Sequence, residues 1–322
     1  MPIEAFSQLR TANQVLFSGL IDYAGLFPPA SLSMADAATE YRRARRGPHS
    51  WLLGRFICPA TRLEELGGLL MSTMSAGEKP WPISVILDGD VARAAVAAHS
   101  FDAEMDPAAQ VALLEVALPS EASDGRPPDE AAVTIAPVVT AAMTASQVAL
   151  PFFEVAVGES WQAGIPNAVA ALAQRRQMIH RPLGGKLRCG GGAPEAFPSS
   201  EQVAAFIMSC TALDLPFKAT AGLHHPVRHY DAEVDVMRHG FLNLLVAAAL
   251  ARSGFTIQEV TTVVDETDPA AFSLAAAGLS WRGHRVRVGD LGRTREQFAA
   301  YGSCSFDEPV ADLVALGMVA AP

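Results

Sequence analysis

Short apolar runs rich in Val, Ile, Leu and Phe recur along the first 250 residues, each followed by a polar or Gly/Pro turn and an Ala-rich stretch with helical spacing. Such alternation predicts βαβ units and therefore a parallel sheet. Strands are expected over residues 16–22, 52–58, 83–88, 111–117, 152–157, 185–189, 217–221 and 241–246. Helices are expected over residues 34–46, 62–75, 91–99, 129–147, 161–179 and 200–213. Eight strands close a (β/α)8 TIM-like barrel of the α/β class. An open doubly wound sheet is the alternative, because residues 241–250, FLNLLVAAAL, are equally good helix formers. Residues 134–139, TIAPVV, have strand propensity. Asp129 and Glu130 ahead of them and the Ala/Met run behind favour a helix with Pro137 inside it.

From Gly254 the pattern changes, which divides the chain into a barrel over residues 1–253 and a small α+β appendage over residues 254–322. Thr256 and Glu259 form a capping-box signature, Asp268 and Pro269 read as an N-cap and first helical position, and residues 279–288 read as a hairpin turning at Arg282 and Gly283. The tail GSCSFDEP, residues 302–309, reads as a turn leading into a last short helix. Its Ser303, Ser305, Asp307 and Glu308 are alternatively placed to line a site.

Composition narrows the class. Half of the 322 residues are apolar and 18% are charged, with 25 Gly and 22 Pro, which excludes a disordered or collagenous chain. A net charge of −10 argues against nucleic acid or an anionic membrane surface as the main partner, since both need a basic face. Cys58, Cys189, Cys210 and Cys304 are dispersed, as suits reduced thiols. The opening MPIEAFSQLR lacks signal-peptide character, and no apolar run reaches the roughly 20 residues of a membrane span. A cytoplasmic protein is expected, and barrels of this size often associate as homo-oligomers. Neither a dinucleotide fingerprint nor a P-loop occurs, so no cofactor is expected.

Candidate chemistry gathers at the carboxyl ends of the strands, where parallel α/β folds bind ligands. Read in order, these ends carry Asp22, Arg55, Asp88, Glu115, Glu154, Lys186 with Arg188, Lys218 with Thr220, and Asn243. Only three of 24 basic residues are lysine, a bias that a GC-rich genome alone would produce, yet two of the three fall on adjacent strands. Alternation puts Lys186 and Arg188 on one strand face and Leu187 and Cys189 on the other. The apolar pair must meet the helices, so the cations face the barrel. Gly190, Gly191 and Gly192 then offer a loop that can approach an anion closely. Concentrating Lys186, Arg188 and Lys218 has an electrostatic cost that a bound phosphate or carboxylate would relieve.

Glu115 and Glu154 lie inside apolar runs, where a carboxylate must be paired or bind something. With Asp22 they read either as ion-pair partners of the cations or as a general base or divalent-metal ligands. His224 and His225 follow the seventh strand; adjacent histidines make a poor chelate, and His224 reads better as a proton shuttle. A neutral lysine in a low-dielectric pocket beside a second cation is nucleophilic, a setting expected for Lys186.

Lys186 in GGKLRCGGG and Lys218 in FKATAG resemble the layout of class I deoxyribose-phosphate aldolases, which carry a Schiff-base lysine on barrel strand six and a perturbing lysine on strand seven. The resemblance covers some 40 residues and implies Lys186 as the Schiff-base lysine, Lys218 as its partner, and the Gly190, Gly191 and Gly192 run as a phosphate loop. The chain departs from that family in Arg188 and Cys189, which replace small hydroxyl residues, in the HH loop, and in its long C-terminal segment. The leading expectation is a barrel lyase or isomerase acting next to a carbonyl of a small anionic substrate. Lys186, Lys218, Glu154 and His224 would be catalytic; Arg188, Arg55, Thr220, Gly190, Gly191, His225 and Asn243 would bind substrate. A divalent-metal lyase or hydrolase using Asp22, Glu115 and Glu154 is the alternative, and a binding or scaffold barrel the third reading.

Overall fold

The computed structural model describes residues 11–145, 149–275 and 277–322. The N-terminal segment read for a signal peptide, and Ser146 and Gln147 at the end of an expected helix, lie outside the described residues. In chain order the main elements are α1 (Ala12–Phe17), β1 (Ile21–Tyr23), α2 (Met34–Arg46), β2 (Leu53–Pro59), α3 (Leu63–Thr73), β3 (Trp81–Ile86), α4 (Val91–Glu104), β4 (Ala109–Ala117), α5 (Pro128–Ala145), β5 (Leu150–Glu154), α6 (Trp161–Ile179), β6 (Gly184–Arg188), α7 (Ser200–Ala212) and β7 (Phe217–Thr220). They continue through β8 (His229–Asp231), β9 (Val236–Arg238), α8 (Phe241–Arg252), α9 (Ile257–Asp265), β10 (Phe272–Ala275), β11 (Gly278–Trp281), β12 (His284–Arg287), α10 (Val288–Gln297), β13 (Phe298–Ser303) and α11 (Asp307–Ala315).

Eight parallel strands close a barrel in the order β1-β13-β7-β6-β5-β4-β3-β2, with helices around it. The TIM-like architecture is therefore present, but its eighth strand is not the expected one. Residues 241–246 lie in α8, and β13 closes the barrel from within the segment assigned to an appendage. The division at residue 253 thus cuts the barrel. Each error has its own cause. Phe241 through Ala251 are all buried, so α8 is apolar all round, and periodicity cannot separate such a helix from a buried strand. In contrast β13, FAAYGS, has Ala and Gly where β-branched residues would have signalled a strand.

Residues 16 and 17 end α1 and the first strand is confined to Ile21–Tyr23, shorter than the expected 16–22, whereas several other local expectations match the structure. Thr256 caps α9 through the N–H of Glu259, Asp268 accepts from the Ala270 N–H ahead of a short 3-10 turn, and β11 and β12 pair antiparallel as the hairpin around Arg282 and Gly283. Residues 134–139 are helical within α5, which carries Pro137 internally.

The register sets up the interior. Glu154, Lys186 and Lys218 are lateral partners across β5, β6 and β7, so they share the inward face. One step below, Glu115 is level with Phe152 and Gly184. A Cβ on Gly184 would stand 2.5 Å from the Phe152 ring and 2.6 Å from the Pro216 carbonyl oxygen, so only glycine leaves room for the aromatic floor under the polar layer. Deeper still, the buried Arg295 at the end of α10 donates to the carbonyls of Phe298, Ala299 and Ser18, and burial pushes its guanidinium down to about 10.

A chain ending at Arg252 keeps every strand except β13 among those of the barrel, and leaves the edges of β1 and β7 without their shared neighbour. It is expected to show no cooperative unfolding transition by circular dichroism in urea. A sharp transition resembling that of the full chain would contradict the closure described here.

Candidate active site

Inside the mouth, seven side chains from six strands form one continuous line of alternating charge. The Arg55 Nη1 approaches Asp22 Oδ1 at 3.3 Å, and the Arg55 backbone N–H donates to the same oxygen at 2.9 Å. Asp22 Oδ2 accepts from Lys218 Nζ at 2.9 Å, and Lys218 also donates to Glu115 Oε1 at 2.6 Å. Lys186 Nζ donates to Glu115 Oε2 at 2.8 Å and lies 3.0 Å from Glu154 Oε2, whose other oxygen meets Arg188 Nε at 3.4 Å. Ser84 of β3 donates to Glu115 Oε1 at 2.8 Å.

Burial grades this line from inside to outside. Asp22 and Lys218 are 0% exposed and Glu115 1%, Lys186 is 5% exposed, and the side chains of Glu154 and Arg188 reach 21% and 56%. At an effective dielectric near 20, an ammonium and a carboxylate about 3 Å apart attract by roughly 5 kcal/mol. Desolvating each ion costs several kcal/mol, so such pairs add little net stability compared with an apolar core. Once buried, however, each group depends on its partner. Four cations face three carboxylates, leaving one positive charge in excess, and only Arg188 carries its charge largely in water.

The same contacts decide the protonation states. Burial alone would raise Glu115, but the charges and hydrogen bonds of Lys186 and Lys218 outweigh it and hold the carboxyl far below its ordinary range. Glu154 is likewise lowered, burial being offset by Lys186 and then Arg188. Burial works to lower Lys186, yet Glu115 and Glu154 reverse this and raise it. The sequence expectation that a neighbouring cation would depress Lys186 is thereby corrected, because Glu115 stands between the two ammonium groups. At rest Lys186 is an ammonium.

Arg188 lines a cavity of about 660 Å3 with three carboxylates, Glu154, Glu159 and Glu195, and with Trp161 and Gln202; its guanidinium, on a side chain 56% exposed, is the cation there. The remaining expected site residues go elsewhere. Asn243, expected at a strand end, is buried in α8, where it donates to the carbonyls of Val263 and Glu266 and accepts from the Arg228 N–H. It ties α9 to the core, away from the charged line. Thr220 is half-buried at the end of β7 beside Arg188. A Cβ on Gly190 would meet the Phe197 ring at 2.7 Å and Gly222 Cα at 2.9 Å, and one on Gly191 would meet Ala196 at 2.6 Å. Packing between the β6 and β7 loops therefore accounts for these two glycines. His224 pairs with Glu308 at 2.9 Å and His225 with Asp312 at 2.6 Å, both acids lying on α11. Asp88 brackets Thr61 through its backbone and hydroxyl. Ser84 was missed by sequence reasoning; its only signal is a small polar residue inside the apolar run PISVIL.

The divalent-metal alternative gains no support from the donors. Asp22, Glu115 and Glu154 each have a lysine ammonium within 3.0 Å, and among the described residues no group of three or more His, Cys, Asp or Glu is arranged to hold a metal ion. No protein-family model matches the chain, and no curated protein matches it.

Replacing Lys218 with Met leaves the fully buried Asp22 with Arg55 alone, at 3.3 Å, and Glu115 with Lys186 and Ser84, and should lower unfolding stability by about 3–5 kcal/mol in urea titrations. Lys186→Met should lose less, since the Glu154 side chain it releases is 21% exposed and keeps Arg188, whereas Asp22 is sealed from water. The reverse order would refute the layout. Stability should also depend on pH at both ends. The lowered Glu115 and Glu154 contribute above the unfolded carboxylate value near 4.3 and lose their contribution as pH falls through their folded values. The raised Lys186 contributes below the unfolded lysine value near 10.4 and loses its contribution above it. Thermal unfolding from pH 2 to 11 should therefore show a plateau with losses at both ends. An alkaline loss undiminished in Lys186→Met would contradict this assignment.

Proposed function

We propose that the barrel is a lyase or isomerase acting next to the carbonyl of a small anionic substrate through a Schiff base on Lys186. The observation that carries this reading is the buried Lys186 within 3.0 Å of Glu154, the carboxylate that lines the cavity beside Arg188. A resting ammonium cannot attack a carbonyl, so its proton needs an acceptor. Substrate carboxylate or phosphate engaging Arg188 draws the guanidinium from Glu154, whose proton affinity then rises until it takes the proton from Lys186 Nζ.

The neutral amine adds to the carbonyl carbon. Glu154 returns its proton to the carbinolamine hydroxyl, which leaves as water, and the iminium formed keeps its positive charge beside Glu115. That iminium accepts the electron pair released when a neighbouring C–C or C–H bond breaks. Lys218 touches no substrate in this scheme; it holds Glu115 ionised and fixed, a positioning role. The strand-six and strand-seven lysines also resemble the aldolase layout described from the sequence.

Incubation with a panel of keto acids and sugar phosphates in the presence of borohydride should leave a reduced adduct on Lys186, located by peptide mass spectrometry. Arg188→Met should cut trapping at least tenfold at low substrate, and Lys186→Arg should abolish it. No adduct with any compound, or an adduct only at Lys79, would remove the Schiff-base mechanism.

A further inference from the structure

The two sequence features that the lysine site leaves unused, the HH loop after β7 and the segment GSCSFDEP that begins at the end of β13, meet each other. Cys304 Sγ lies 3.6 Å from His224 Nε2 and 3.9 Å from Nδ1, and Nδ1 is 2.9 Å from Glu308 Oε2. From this arrangement we infer a second reactive centre, in which Cys304 is a nucleophilic thiol and His224 its general base, acting on a small neutral or cationic acyl compound.

Each part has a physical role. The Glu308 carboxylate accepts from Nδ1–H, which leaves the Nε2 lone pair as the basic nitrogen on the side nearer the sulfur. The Glu308 backbone is anchored at the start of α11, where its N–H donates to Ser305 Oγ. Burial keeps the thiol protonated, so a base has to remove the proton when a ligand arrives; the backbone N–H groups of Ala30 and Cys304 point at the sulfur and favour the thiolate once it forms. Nucleophile and base contacts are commonly loose without ligand. Cys58, Cys189 and Cys210 have no comparable imidazole neighbour among the described residues and are fully buried.

Cys304 opens on a cavity of about 360 Å3 that is lined also by Tyr23, Leu32, Thr39 and Phe306. The charged groups around it are Asp36, Glu40, Asp307 and Arg43, and Arg43 is spent on Glu40 and Asp307 at 2.6 Å each. With no free cation and an excess of carboxylates, the cavity disfavours an anionic acyl donor. The volume sets the scale at a short acyl group.

In the reaction the thiol proton passes to His224 Nε2, the S–C bond forms at the acyl carbon, and the bond from that carbon to the leaving oxygen breaks. The leaving group departs as an anion or takes the proton from His224. Water then hydrolyses the thioester.

4-Nitrophenyl acetate serves as the probe. The full chain should release a burst of one equivalent of 4-nitrophenolate, with the acetyl group found on Cys304 by mass spectrometry. Cys304→Ala should abolish the burst, and His224→Gln should slow it at least tenfold and lose the lower inflection of the rate–pH profile. Glu308→Gln, at a surface-exposed side chain, should slow it a few-fold with the fold intact. A burst that survives Cys304→Ala, acetylation elsewhere, or an unaltered rate and pH profile in both the His224 and Glu308 variants would overturn the inference.

Discussion

Glu115 accepts hydrogen bonds from two ammonium groups and a serine hydroxyl in the closed interior of the barrel, and the rest of the mouth depends on this one carboxylate. Without it, Lys186 and Lys218 would be buried like charges on adjacent strands, each cheaper to neutralise than to hold. With it, each ammonium has a carboxylate on either side, Asp22 and Glu115 for Lys218 and Glu115 and Glu154 for Lys186, which raises Lys186 and lowers Glu154. The line then runs outward from a sealed core to a half-exposed carboxylate and an exposed guanidinium. The protein thereby keeps charge inside a low-dielectric space, which stability alone does not favour.

The inward faces of the strands carrying this line were legible from alternation. Lys186 with Arg188 against Leu187 with Cys189 is a period-two pattern, and it placed the cations inside before any packing was known. The partnering was not legible, because which carboxylate meets which lysine depends on the barrel's register across strands far apart in sequence; Lys218 and Asp22 are 196 residues apart. That is why a depressed Lys186 was expected from its basic neighbours and a raised one is found. The closing strand was hidden for a different reason. β13 draws its pairing from the two open edges it fills rather than from its own propensity, while α8 carries the apolar run that a strand would show.

The C-terminal segment is consequently part of the barrel's working end. β13 delivers Ser303 and Cys304 to the mouth, and α11 places Glu308 and Asp312 one turn apart, each against one histidine of the β7 loop. The histidines therefore belong to the seam between β7 and β13, apart from the lysine line, and the acidic turn of the tail is their counterpart. Two different polar arrangements share one end of the fold, a common outcome where loops from several strands converge.

The central claim is that Lys186 rests as an ammonium held by Glu115 and Glu154. With only three lysines in the chain, [15Nζ]lysine labelling gives a spectrum simple enough to assign by single substitution. A pH titration should keep the Lys186 resonance ammonium-like past the ordinary lysine value near 10.4 in the ligand-free protein. Titration of Lys186 several units lower, toward neutrality, would contradict the account.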